Sequence, residues 1–230
     1  MPVPQELVRN PAFDDGQVIR RVLGGEVELF EVLLRRHDQR VYRTVRSILR
    51  DEDEAEDAMQ AAWVRAYQHL GDWAGDSSFS TWLVRIAANE ALGRLRKRAR
   101  VVPLQPPGGE GDAEGGIMDE RADDPEERAA ASEAVRLIER AVDELPPPYR
   151  SVYVLRELEE LSTAETAEAL GLGEDAVKVR LHRARLMLRR SLGATIDRAA
   201  KEAFPFLAPR CNRVVANVLR AIAGTPPGVA

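Results

Sequence analysis

Cysteine is almost missing from this chain: Cys211 is the only one, so no internal disulfide can form. Long apolar runs are missing as well. No stretch is long enough to cross a bilayer, and the opening "MPVPQELVRNPAFDD" lacks the apolar core of a secretion signal. These absences predict a cytoplasmic protein with no membrane insertion. Aromatics make up only 5% of the 230 residues, against 31% charged residues in mostly helix-favouring company. That balance predicts an all-α protein. The three histidines, His37, His69 and His182, fall on separate predicted helices with no metal-ligand spacing and no nucleophile–base pairing. The acidic run 51–57 lacks the glycine and spacing of a calcium loop. No enzyme activity, metal or cofactor is expected.

A local absence is more informative. From Val177 to Arg190 there is no acidic residue, while Lys178, Arg180, His182, Arg183, Arg185, Arg189 and Arg190 crowd the same segment. The net charge of −5 alone would argue against a nucleic-acid partner. However, the stretch from Gly108 to Arg128 holds nine acidic and two basic residues, so the rest of the chain is net positive. A DNA contact responds to the local field, because screening limits its reach to about 10 Å.

Four zones follow from the pattern of apolar residues and helix breakers. Residues 8–98 are helical in period throughout: Phe30, Leu33, Leu34, His37, Val41, Val45, Ile48 and Leu49 recur at helical spacing, as do Ala55, Met59, Ala62, Trp63, Ala66 and Leu70. Residues 99–130 are rich in proline, glycine and acid, which reads as a flexible linker. Residues 131–192 are helical again, with Pro146, Pro147 and Pro148 separating two helices. Residues 193–230 form a tail with one predicted helix, "NRVVANVLRAIAG".

Within the third zone, Leu161 to Arg190 fits two helices joined by a short turn. Ser162 and Glu165 have capping-box spacing, and Gly171 suits the left-handed residue that closes a helix. In the second helix Val177, Leu181, Ala184 and Leu188 form one apolar stripe. Lys178, His182, Arg185 and Arg189 form a cationic neighbour, with Val179 and Arg183 beside them. A cationic helix presented in this way fits the DNA major groove. The alternative is a solvated helix end whose positive charge suits the dipole. That covers Arg189 and Arg190 but not Lys178, Arg180 and Arg183 near the start, where positive charge is unfavourable.

"LSTAETAEALGLGEDAVKVRLHRARLML" resembles the promoter-reading C-terminal domain of bacterial RNA polymerase sigma factors of the extracytoplasmic-function (ECF) type, in the sigma-70 family. "DEAEDAMQAAWVRAY" and "WAGDSSFSTWLVRIAANEALGRLRKR" resemble two further segments of the same family, in the family's order. The resemblance implies sigma region 2 over 8–98, a linker over 99–130, and sigma region 4 over 131–192, followed by a C-terminal extension. It implies two small helical domains, core RNA polymerase as partner through the clamp helices of its largest subunit and the flap of the second largest, and promoter DNA. It also admits an anti-sigma factor.

Carried over by residue, it places −35 recognition on Lys178, Val179, Arg180, His182, Arg183 and Arg185. It places −10 recognition and melting on Trp73, Asp76, Ser77, Ser78, Phe79, Asn89, Arg94, Arg96 and Lys97. Aromatic surface beside small polar groups can hold an unstacked base. Trp82, beside Leu83 and Ile86, reads instead as core. The resemblance places polymerase docking on Asp53, Asp57 and Gln60, which share a helix face at i, i+4 and i+7; the alternative is an acidic helix start favoured by the dipole. Gly93 stands where many relatives carry aspartate or asparagine, which predicts a weak or kinked helix there.

Other readings remain open. A transcription regulator that binds duplex DNA without polymerase would leave "AEDAMQ" and "WAGDSSFSTW" unexplained, and a sigma-like decoy would not need Arg183 or Lys178. The tail's apolar stripe, Val214, Val215, Val218, Leu219 and Ile222, is expected to pack on the C-terminal domain. It could alternatively form a regulatory surface, with Cys211 buried rather than redox-sensing.

Overall fold

The computed structural model describes residue 8 and residues 13–101, 125–192 and 208–228, and all regular structure among them is helical. The first zone begins with α1 (Asp15–Leu23), capped by Asp14, whose carboxylate accepts from the Gln17 backbone N–H at 2.7 Å. α2 (Phe30–Leu49) and α3 (Glu52–Gln68) follow, with Asp51 capping α3 through the Glu54 N–H at 2.8 Å. Ser78 precedes α4 (Phe79–Val101) and accepts from the Thr81 N–H at 3.1 Å. Each cap satisfies a backbone donor that the first helical turn leaves without a partner.

α2, α3 and α4 pack against one another and bury the stripes read from the sequence. Trp63 and Tyr67 meet Phe30 edge-on, with ring centroids 5.7 and 5.1 Å apart, a favoured aromatic geometry. Gly93 does not break α4, which runs through it without interruption. Neighbouring turns of α4 pack on both α2 and α3.

The second helical zone contains α5 (Pro125–Glu144), α6 (Pro147–Tyr153), a π-helical turn over Val154–Leu158, α7 (Thr163–Leu170) and α8 (Glu174–Leu192). α4 and α5 therefore reach into both ends of the stretch read as a linker. Pro125 opens α5 at its first position, where a missing N–H has no cost. Ser162 and Glu165 form the reciprocal capping box, and Gly171 closes α7 at φ 64°. Val177, Leu181, Ala184 and Leu188 are buried against α5, α6 and α7.

The two helical zones touch. Arg150, only 1% exposed, donates from Nε to the Ser47 carbonyl at 2.7 Å, and from Nη1 to the Asp143 and Leu145 carbonyls at 3.2 and 3.3 Å. These carbonyls lie at the C-terminal ends of α2 and α5, where backbone acceptors lack helical partners and positive charge is favoured. Arg46 makes a forked pair with Asp143 at 3.1 and 2.9 Å. Arg40 and Arg43 flank buried Glu159 at 2.9 and 3.6 Å. Thr81 of α4 donates to Glu165 of α7 at 2.8 Å, and Arg85 pairs with Glu168.

The tail helix α9 (Ala208–Ile222) lies on α2 and α3, not on the C-terminal zone as expected. Its apolar stripe joins the N-terminal core, and its arginines meet acidic side chains of α3. Charge complementarity favours this partner: α9 has no acidic residue, and five of the first six residues of α3 are acidic. Phe204, Phe206 and Leu207 lie outside the described residues.

Candidate nucleic-acid interfaces and acidic docking face

α8 presents two opposed faces. One is buried through Val177, Leu181, Ala184 and Leu188. The other exposes Lys178, Val179, His182, Arg183 and Arg185, with Arg180 half-buried between them. Val179 is 51% exposed, unusual for a valine that merely fills a helix. Lys178 lies 3.1 Å from Asp175, Arg185 donates to Glu157 at 2.7 Å, and Arg183 reaches the Tyr149 hydroxyl at 3.4 Å. Exposed pairs of this kind contribute about 0–1 kcal/mol, so they orient the cations without committing them. Hydrogen bonds from the Ser162 backbone and side chain hold the Glu165 carboxyl below its usual range.

The loop before α4 is built differently. Asp76, Ser77 and Ser78 are exposed at its tip. Trp73 is anchored: its Nε1 donates to the Ser77 carbonyl at 3.1 Å, and its ring lies edge-on to Phe79 at 6.0 Å. Phe79 departs from its expected base contact. It is 2% exposed, enclosed by His37, Trp73 and Trp82, and so supports the loop from beneath. Trp82 is buried, as its apolar neighbours predict. Further along α4, Asn89, Arg96 and Lys97 are exposed. Arg94 turns back to the Asp57 carbonyl at 3.1 Å and to Glu90 at 3.3 Å, which ties the cationic end of α4 to α3.

On α3, Asp53 and Asp57 face solvent, while Gln60 is half-buried beneath α9. Residue-level reading of the sequence missed Arg150, Asp143 and Glu159, which join the two zones. Burial pushes the Glu159 carboxyl up against the opposing pull of Arg43 and Arg40. No sequence period marks an arginine that bonds to carbonyls of a distant helix. The contact of α9 with α3 did have a signal, in a tail helix without acid and an α3 start without base.

Residues 33–101 match the Sigma-70 region 2 family, and residues 136–188 match Sigma-70, region 4. The chain is 33% identical to the ECF RNA polymerase sigma factor SigM of Mycobacterium tuberculosis (strain H37Rv), over 78% of its own length and 85% of that protein. This chain belongs to the ECF sigma factors of the sigma-70 family. The ECF sigma factor SigW of Bacillus subtilis (strain 168) is similar at 32% identity, over 76% of this chain and 94% of SigW. Among solved structures, the sigma factor RpoE bound to the anti-sigma factor NepR from Bartonella quintana aligns with a TM-score of 0.49 and 20% identity, covering 80% of this chain and 99% of that one. In this ECF sigma factor the acidic face of α3, the loop and α4 fall within the region 2 match, and α8 falls within the region 4 match. α9 lies beyond both.

Proposed function

We propose that this ECF sigma factor docks on the core RNA polymerase clamp helices through Asp53, Asp57 and Gln60 and opens promoters by gripping two DNA elements. α8 reads the −35 element from the major groove, with Lys178, Arg180, Arg183 and Arg185 as base and phosphate contacts and Val179 and His182 between them. The loop carrying Trp73, Asp76, Ser77 and Ser78 takes an unstacked base of the −10 element. Asn89, Arg94, Arg96 and Lys97 hold the adjoining strand. Residues 8–98 act as region 2 and 131–192 as region 4, while 99–130 joins them and 193–230 is an added segment. The flap of the second largest polymerase subunit is the partner of region 4.

The observation that carries this reading is α8 itself. Its cationic face, without acid from Val177 to Arg190, is exposed on a helix whose opposite side is buried against a capped partner helix. Major-groove readers require such a division, with rigid support behind and free donors in front.

Run-off transcription with core RNA polymerase on genomic fragments tests the reading. Discrete transcripts that depend on this chain, with melted bases at the −10 position detected by permanganate, are the expected result. Binding to duplex DNA without any transcript would assign the chain to the polymerase-independent regulators instead.

A further inference from the structure

The α3 face proposed for docking is partly covered in the free protein: Asp53 and Asp57 are exposed, but the row that ends at Gln60 lies under α9. α9 lies against α2 and α3 and buries Cys211, Val214, Val215, Val218 and Ile222 there. Its polar flank follows α3 residue by residue. Arg210 lies 2.5 Å from Glu52. Arg213 grips Glu56 with both Nε, at 2.5 Å, and Nη2. Asn217 donates to Gln60 at 3.4 Å. Glu52, Glu56 and Gln60 stand one turn apart along a single row, and Asp53 and Asp57 form the row beside it. Beyond α9 the chain stays on the same helix, where the Tyr67 hydroxyl donates to the Thr225 carbonyl at 2.9 Å and the Tyr67 backbone carbonyl accepts from the Gly228 N–H at 3.3 Å.

We propose that α9 is a tethered competitor of the polymerase: it holds the Glu52–Glu56–Gln60 row in the free protein and leaves when a polymerase clamp helix docks there. This rests on the proposed use of the α3 face for docking. A helix is about 10 Å across, so two cannot share one row of side chains. Glu56 is 8% exposed under α9, and Gln60 already holds Asn217. α9 offers arginines to carboxylates, as a basic docking helix would. It is also replaceable: a helix of 15 residues is marginal by itself in water and persists through its packing. Its covalent tether to the C-terminal zone keeps its local concentration high until a tighter partner displaces it.

The test uses the whole chain and core RNA polymerase. The double variant Arg210→Glu, Arg213→Glu removes both ion pairs and sets like charges against α3. Because apparent affinity scales with the fraction of protein whose site is open, the variant should bind core enzyme roughly tenfold more tightly. The second readout needs no substitution. Cys211 is the only cysteine, buried under α9, with its thiol pushed up to about 12 by burial and the neighbouring Asp38. Its alkylation by N-ethylmaleimide should be slow in the free protein and roughly tenfold faster or more once polymerase is bound. Unchanged or weaker binding by the variant, or a Cys211 that stays protected in the complex, would overturn the proposal. Core enzyme that binds neither chain would overturn the docking reading together with it.

Discussion

A helix can carry a glycine without bending and still lose stability to it. Gly93 lies in the continuous part of α4, and nothing lies within 4 Å of where a Cβ would stand. The glycine therefore keeps its backbone entropy cost and offers no close approach in return. Gly93→Ala should stabilise the protein by about 1 kcal/mol, and a thermal melt should rise by roughly 2–4 °C. An unchanged or lower melting temperature would mean that a packing demand acts on this position. Ser162 offers the opposite case. Its hydroxyl accepts from the Glu165 N–H at 3.1 Å while the Glu165 carboxylate accepts from the Ser162 N–H at 2.7 Å. Ser162→Ala should cost about 1 kcal/mol. Because the Glu165 carboxyl is depressed in the folded protein, its contribution is present above the ordinary value of 4.5 and lost as pH falls below it. Acid titration of the variant, followed by circular dichroism, should show less loss of stability below that value than the parent shows.

At the scale of one element, α8 divides its work between its two faces. Lys178→Ala and Arg183→Ala each remove an exposed cation without touching the buried stripe. Each should weaken −35 duplex binding and lower the salt slope by about 0.9 per lost phosphate contact, leaving binding to core polymerase intact. Asp57→Ala on α3 should do the reverse. A salt titration by fluorescence anisotropy, with parallel polymerase pull-downs, separates the two. α7 and α8 were also the most legible elements in the sequence, because the capping box and closing glycine of α7 and the apolar stripe of α8 are all short-range signals that agree. The start of α4 was legible for the same reason, through its Ser78 cap. Phe79 was not: an aromatic beside serines reads alike whether it faces a base or the core, and only its enclosure by His37, Trp73 and Trp82 tells the two apart. The apolar stripe of α9 was visible but does not name its partner, since an amphipathic helix shows a buried side without showing against what; only the opposed charges of α9 and the α3 start mark it.

At the scale of the whole molecule, the contact between the two helical zones conflicts with the two-element grip proposed above. A compact chain of this length is on the order of 45 Å across, whereas two turns of DNA cover about 70 Å. The zones must therefore separate for both elements to be held at once, and the contact between them must be strong enough to form but weak enough to open. Its composition suits that requirement. Arg46, Arg50 and Arg150 converge on the end of α5 at Asp143, a polar patch beside the apolar one where Leu155, Leu161 and Ala169 join the N-terminal core. Arg150 itself is held by three carbonyls with no carboxylate, and burial lowers its guanidinium to about 10. Asp143→Ala removes the carboxylate that pairs with Arg46 amid the three arginines, and keeps the backbone carbonyl that Arg50 and Arg150 bond. It should leave three cations facing one another and loosen the contact by about 1–3 kcal/mol. Small-angle scattering should then report a larger radius of gyration for the variant than for the parent at low salt, and the parent should approach the variant as salt screens the Arg46 pair. Identical radii at all salt concentrations would show that the zones are held together by apolar packing, and that opening on a promoter must come from the polymerase alone.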